Sequence, residues 1–488
     1  MIKTPLYIMK IKKILLLSYL FIALCRCSST PVGNELIKKI NNKLESGNLK
    51  EVIHISDSLK KNGSKNSILL FKTDSLAQIA ERIGIDFSVN EEQEIKQIEK
   101  RIGIFSPEEK SLWEKKGWLE YRLIDSRKIY FRRAASNLVL LKKFYEHKED
   151  NIMEIANDPN MIFRRKHTEE VVRESAGKSN PVVPVKMKIT YTITVRPDAV
   201  PEGKKIRCWM PLPKENHIRQ QKVELLATSD QKYVIAPDTA IHRSIYVEQI
   251  AKNGTPAIFQ ISFNYQSSAQ HFNMGEIKVL PYDKTSDNYK KYTSELLPQI
   301  CFTENIKHLA DSITGKKDDP ATIVRKIYFW FKENIPWTGA LEYSIMPNIP
   351  EYVYKNRRGD CGMQTLLFMS MLRYKGVPVR WQSGWMVPPG DKNLHDWCEV
   401  YFEGTGWIPV DISYDLQQSE IASVREFYLS GIDSYRLIVN DGISGPLYPS
   451  KKFMRSEPYD FQRGEVEWEG GNLYFDKWDY EMKIDYLN

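Results

Sequence analysis

A cysteine set between glycines, a histidine that opens a strand and an aspartate that closes the next one are the residues of this chain best placed to do chemistry. The stretch Arg358-Gly359-Asp360-Cys361-Gly362 precedes apolar residues at helical spacing (Leu366, Leu367, Met371, Leu372). That spacing predicts a helix beginning near Cys361 and ending at Gly376, with Pro378 beyond. A thiol at a helix N-terminus faces unpaired N–H groups and the positive end of the helix dipole, which favours its thiolate and offers donors to a developing oxyanion. His395 starts the strand-like run His395-Asp396-Trp397-Cys398-Glu399-Val400-Tyr401. A neutral imidazole near the thiol takes its proton and returns it to a leaving amine. Asp411 closes Trp407-Ile408-Pro409-Val410-Asp411. If these two strands pair through a turn at Gly404-Thr405-Gly406, their ends carrying His395 and Asp411 lie side by side, and the carboxylate fixes the tautomer of the imidazole. Each residue has a plainer alternative: a buried cysteine at a helix start, a satisfied core histidine, a strand-end cap. Together, in these elements and this order, they point to acyl transfer with Cys361 as nucleophile, His395 as base and Asp411 as orienter. Asp396 is a rival orienter, but adjacent strand residues face opposite sides, which sets both Asp396 and Cys398 away from His395.

The elements that must carry these residues fall into segments. Residues 34–180 read as a helical domain: Ser106-Pro107-Glu108-Glu109 has the form of a capping box, and Trp113, Trp118, Tyr121, Ile124 and Tyr130 follow mostly at three- and four-residue steps. Gly177-Lys178-Ser179 lacks the earlier glycine of a phosphate loop, because Val172 stands there. From Val185 the period changes to two (Val185, Met187, Ile189, Tyr191, Ile193, Val195), and Phe259, Ile261, Phe263 and Tyr265 repeat it, so residues 181–280 are expected to form a β-sandwich. Residues 281–440 read as an α+β core, with a helix capped by Asp319-Pro320 and strands at Val379–Val387, His395–Phe402 and Trp407–Asp411. Residues 441–488 are broken by prolines and then strand-like, a C-terminal β extension.

At 488 residues, with 42% hydrophobic and 11% aromatic content, the chain is expected to be globular and multidomain. The formal net charge is +8, but Lys3, Lys10, Lys12, Lys13 and Arg26 lie in residues 1–26, so the remainder carries only +3. No basic stripe with interleaved aromatics stands out, which argues against a nucleic-acid partner. The apolar run Ile14–Leu24 after Lys10, Lys12 and Lys13 has the length of a signal-peptide core and is too short to span a bilayer. Cys208, Cys301, Cys361 and Cys398 are scattered without a CxxC pair, and the eight histidines show no ligand spacing, so no metal or cofactor is expected. A Cys208–Cys301 disulfide is open to an exported protein.

The succession Gly359-Asp360-Cys361, Lys375-Gly376-Val377-Pro378-Val379-Arg380, His395-x-Trp397-x-Glu399-Val400-Tyr401 and Gly406-Trp407-Ile408-Pro409-Val410-Asp411 closely resembles the transglutaminase-like superfamily of papain-like thiol enzymes. The resemblance covers roughly residues 300–440, and the stretch Cys208-Trp209-Met210-Pro211-Leu212-Pro213 is similar to the β-domain that precedes the core in many bacterial members. It implies a cysteine peptidase or amidase with the Cys361, His395 and Asp411 roles above. It also implies a second oxyanion donor upstream, for which Trp337 is the better placed of Trp330 and Trp337. Asp411-Ile412-Ser413 departs from the family's usual Asp-Pro-Thr but keeps the carboxylate. Leu24-Cys25-Arg26-Cys27 resembles a bacterial lipoprotein signal, implying export to the cell envelope and acylation of Cys27 or Cys25. The expected reaction is hydrolysis of a peptide or isopeptide bond in a protein or cell-wall peptide. The competing readings are a cross-linking transamidase and a non-catalytic binding module.

Overall fold

In a computed structural model the described residues are 31–63, 66–146, 158–176, 180–215 and 217–487. The signal segment 1–26 with Cys25, the following Cys27, and the Gly177-Lys178-Ser179 stretch lie outside them. No helix among the described residues is long and apolar enough to cross a membrane. The chain divides into two units, Met1–Gln93 with Tyr121–Arg132, and Glu94–Glu120 with Arg133–Asn488.

In the first unit the helices Pro31–Glu45, Leu49–Lys61 and Ser67–Asp86 bury Ile40, Val52, Ala77, Ala80 and Ile83. A three-stranded antiparallel sheet accompanies them, with β1 (Phe87–Val89), β2 (Tyr121–Ile124) and β3 (Arg127–Phe131) in the order β1-β3-β2. This corrects the all-helical expectation. The Ser106 capping box forms, with Ser106 and Glu109 bonding each other's backbone N–H at 3.1 and 2.8 Å. Its helix stops at Lys115, however, and Asp125 and Ser126 at φ 45° and 66° make the tight turn of a β2–β3 hairpin. The three- and four-residue spacing of Tyr121, Ile124 and Tyr130 thus belongs to two strands.

The second unit holds two larger antiparallel sheets over one apolar core. Its strands are β4 (Val182–Val195), β5 (Lys205–Pro211), β6 (Gln220–Thr228), β7 (Tyr233–Ile235), β8 (Ser244–Ile250) and β9 (Ala257–His271). Further along come β10 (Val379–Met386), β11 (Asn393–Phe402), β12 (Gly406–Val410), β13 (Gly431–Ile432), β14 (Arg436–Asn440), β15 (Glu465–Trp468), β16 (Gly471–Leu473) and β17 (Trp478–Leu487). One sheet runs β13-β9-β4-β17, with β6 also on β9; the other runs β16-β15-β5-β8-β7. The strands of residues 441–488 are therefore members of these sheets: β17 pairs with β4 from Trp478↔Val195 to Leu487↔Lys186, and β15 pairs with β5. The period-two side chains Met187, Ile189, Tyr191 and Ile193 point inward with Phe259, Ile261 and Phe263, each worth about 1.5–3 kcal/mol of burial. Cys208 and Cys301 are buried free thiols.

A four-stranded sheet, β12-β11-β10-β14, carries the chemistry-bearing residues. The helix Cys361–Tyr374 packs across β10 and β11. Trp385 of β10 and Leu437 and Val439 of β14 belong to the sandwich core, with the Trp385 ring stacked 4.7 Å from that of Tyr191. Strands β10 and β11 are pinned by Glu399, which accepts from Arg380 (2.7 Å) and Gln382 (2.9 Å) in a buried site. At Gly384 a Cβ would stand 2.0 Å from the Leu437 carbonyl oxygen, so the close β10–β14 approach beside His395 requires glycine.

Candidate functional site

Cys361 is the first residue of its helix. Asp360 caps it, accepting the Met363 N–H at 3.0 Å and the Tyr343 hydroxyl at 2.6 Å. The N–H groups of Cys361 and Gly362 lie in the first turn, where a helix has no carbonyl to offer them. The partly exposed thiol donates to Asp396 Oδ2 at 3.2 Å. Gly362 is needed here, since a Cβ would meet the Tyr343 hydroxyl at 2.2 Å and Asp396 Oδ2 at 2.6 Å.

These neighbours reverse the expectation of a favoured thiolate. Burial, and then the Asp396 and Asp360 carboxyls, push the Cys361 thiol well above its ordinary value, against the helix dipole. Asp396 is itself raised, by burial and then by the adjoining Asp460 carboxyl. Gln462 donates to Asp396 Oδ1 at 2.7 Å and to the His395 carbonyl at 2.8 Å, tying this cluster to β11.

On the other side of β11, His395 Nε2 and Asp411 Oδ2 are 2.7 Å apart, with both residues buried. A carboxylate acceptor there keeps the proton on Nε2 and leaves Nδ1 as the basic nitrogen. Arg436 donates to the same Asp411 oxygen at 2.9 Å and to Asp433 at 3.0 Å. Ser413 donates to Asp411 Oδ1 through its N–H (3.2 Å) and hydroxyl (3.0 Å). Burial would raise the Asp411 carboxyl, but His395 and Arg436 outweigh it and hold it far down. His395 is lowered by burial, which exceeds the upward pull of Asp411, so it rests neutral near pH 7.

The structure thus brings His395 and Asp411 together and sets Cys361 at the head of its helix, with its thiol bonded to Asp396; among the described residues no hydrogen bond joins it to His395. Asp396 does point away from His395, yet it contacts the nucleophile candidate directly, a role that strand alternation alone did not disclose. Trp337 is exposed and its backbone pairs with Gly359, two residues from Cys361, whereas Trp330 lies back on its helix under Arg357. Trp385, Trp397 and Cys398 are core residues. Tyr343, Tyr414, Arg436 and Gln462 escaped the sequence reading. Arg436 left one trace, a lone cation heading the apolar run Leu437-Ile438-Val439. Among the described residues no group of three or more histidine, cysteine, aspartate or glutamate side chains is arranged to hold a metal ion.

Two loops beside Cys361 are held by the segments before the sandwich. Asn137 exchanges two hydrogen bonds with the Gly339 backbone, at 2.9 and 2.8 Å, just past Trp337. The buried Arg358 pairs with Glu120 at 2.9 Å, and Tyr352 donates to the same carboxylate at 2.6 Å.

Residues 307–412 match the transglutaminase-like superfamily. YebA, an uncharacterised protein of Bacillus subtilis (strain 168), is 22% identical over 156 residues, 28% of this chain and 21% of that protein. The chain therefore spans about a fifth of that relative's length. A structure from Cytophaga hutchinsonii, described provisionally as a cysteine protease, is 13% identical, with 63% of this chain and 92% of that one covered at a TM-score of 0.43. The periplasmic domain of TgpA from Pseudomonas aeruginosa is 15% identical, covering 49% of this chain and 90% of that one at a TM-score of 0.26.

Proposed function

With residues 307–412 falling in the transglutaminase-like superfamily, we propose that this chain is a thiol hydrolase of peptide or isopeptide bonds. The observation that carries the reading is the 2.7 Å bond between His395 Nε2 and Asp411 Oδ2, which leaves His395 Nδ1 to act as base. In the resting state thiol and imidazole are both neutral. When substrate enters, the thiol leaves Asp396, gives its proton to His395 Nδ1, and its sulfur attacks the amide carbon. The oxyanion is met by first-turn N–H groups, with Trp337 as the candidate second donor. His395 then protonates the amine as the carbon–nitrogen bond breaks, leaving a thioester on Cys361. Water, deprotonated by His395, attacks the thioester and releases the acid and the thiol. Water is the default acceptor wherever no dry channel orients a competing amine.

The test is incubation with defined peptide pools and purified cell-wall peptides in ¹⁸O-labelled water, followed by mass spectrometry. Hydrolysis predicts new C-termini carrying ¹⁸O, absent from Cys361→Ala and His395→Ala chains. Amine incorporation without the label would favour the transamidase. Products equal in the native and Cys361→Ala chains would leave only a binding module.

We place the reaction outside the cytoplasm, in a chain tethered through an acylated Cys27 or Cys25, on the support of the basic and apolar N-terminal segment ending in Leu24-Cys25-Arg26-Cys27. Metabolic labelling with palmitate should mark the native chain and spare one with both cysteines changed to alanine. Equal labelling of the two would remove the anchor.

A further inference from the structure

Two chain segments meet just before Cys361 and are joined by main-chain bonds. Trp337 and Gly359 form a parallel bridge, in which the Thr338 N–H donates to the Gly359 carbonyl at 3.2 Å and the Gly359 N–H to the Pro336 carbonyl at 3.3 Å. Gln364, on the Cys361 helix itself, donates to the same Gly359 carbonyl at 2.9 Å. The bridge therefore fixes the backbone from which the Asp360 cap and the first helical turn set out, two residues before the thiol.

Each half of this bridge is fastened from the chain that precedes the sandwich. On the Trp337 side, Asn137 bonds both the N–H and the carbonyl of Gly339, at 2.8 and 2.9 Å. Arg133 packs on the same glycine, where a Cβ would come within 2.8 Å of its Cδ. On the Gly359 side, Arg358 is only 2% exposed, and its guanidinium donates to the Gly117 carbonyl and, at 2.9 Å, to Glu120 Oε2. Tyr352 donates to that same oxygen at 2.6 Å. Gly117, at φ 69°, makes the left-handed turn after the helix Pro107–Lys115 and so presents its carbonyl to Arg358. These contacts are directional, unlike apolar filling. A guanidinium held by a carbonyl and a carboxylate is fixed in plane and position, and without the carboxylate its buried charge is driven toward water. Arg358 precedes Gly359 and Asp360 directly, so any such movement carries the bridge and the helix cap with it.

We propose that Glu120 is a positioning residue of the thiol site: through Arg358 it holds the bridge from which the Cys361 helix starts, and so keeps the thiol seated on Asp396. The segments Glu94–Glu120 and Arg133–Glu146, which the sequence assigned to a helical domain apart from the core, thereby supply part of the frame of the site. The inference rests on the thiol-hydrolase reading for what the site does, but the seating of the thiol can be read without catalysis.

The test is alkylation of the full chain by iodoacetamide at about pH 8.5, with each cysteine followed separately by mass spectrometry. Glu120→Gln keeps the size of the side chain and removes the charge that holds Arg358. It should speed the labelling of Cys361 several-fold, as the thiol leaves Asp396, while the buried Cys208, Cys301 and Cys398 stay protected. On a substrate that the native chain hydrolyses, kcat should fall about tenfold or more at unchanged KM, because the group displaced is the nucleophile and not a substrate contact. Cys361 labelled no faster than in the native chain, or a kcat equal to the native one, would overturn the proposal. Faster labelling of all four thiols together would overturn it as well, by showing that the pair props the fold as a whole. If Glu120→Gln does not fold, Tyr352→Phe, which takes one hydrogen bond from Glu120 and leaves the ion pair, decides by the same labelling. Faster labelling of Cys361 alone, in a protein whose native chain hydrolyses nothing, would support the positioning and sink the hydrolase reading.

Discussion

Two carboxylates flank Cys361 and His395 and act in opposite senses. Asp411, pinned by Arg436, steadies His395; Asp396 holds the Cys361 proton. Iodoacetamide should therefore label Cys361 slowly near neutral pH, with the rate rising only above about pH 8.5, the ordinary thiol range. Asp396→Asn removes a negative charge from beside the sulfur and should raise the labelling rate at pH 8–9 several-fold. A rate unchanged by that substitution would show that the carboxylate does not restrain the thiol. On the hydrolase reading, the acid limb of kcat/KM should report His395. Its folded pKa is lowered, so it stays neutral, and active as a base, to below about pH 6.5. Asp411→Asn should lower kcat by roughly 10⁴ by releasing the tautomer. At this scale the sequence disclosed residues whose chemistry is written in type and order, such as Cys361, His395 and Asp411. It concealed Asp396, Tyr343 and Gln462, whose roles come from chain segments that meet only after folding, as when Gln462 reaches back to β11.

Elements recognisable from local rules formed as read: the Ser106 box, the Asp319 cap whose carboxylate accepts the Ala321 and Thr322 N–H groups, and the period-two strand through Val195. The β2–β3 hairpin was hidden because its turn, Asp125-Ser126, has no glycine to mark it, and because two short strands can mimic helical spacing. Sheet membership of β15 and β17 was hidden too, since pairing partners more than two hundred residues apart leave no local mark. The helix Ala134–Glu146 has a task beyond packing, for Asn137 fastens the loop that carries Trp337. Asn137→Ala leaves the buried Gly339 N–H and carbonyl unpaired and should destabilise the fold by about 1–3 kcal/mol. Its effect on hydrolysis should fall on kcat, read by thermal melts and steady-state kinetics on the same preparation. A fall in melting temperature with unchanged kcat would reduce Asn137 to a structural fastener.

At the scale of the whole second unit, the sandwich sheets and the β12-β11-β10-β14 sheet share one core through Trp385, Tyr191, Leu437 and Val439. Deleting Trp478–Leu487 strips β4 of its partner from Lys186 to Val195 and uncovers the face of Ile193 and Tyr191. The shortened chain should lose its cooperative melt and, on the hydrolase reading, its Cys361-dependent hydrolysis together. A normal melt would show that the sandwich closes without β17.

That pairing has a consequence for timing. β4 waits through nearly three hundred residues of synthesis before its neighbour exists, and contacts so distant along the chain are slow to form. A nascent chain that already contains Cys361, His395 and Asp411 still lacks the strand that pairs with β4. On the hydrolase reading, activity then waits for the last strand to arrive, and the order of synthesis sets when it can begin.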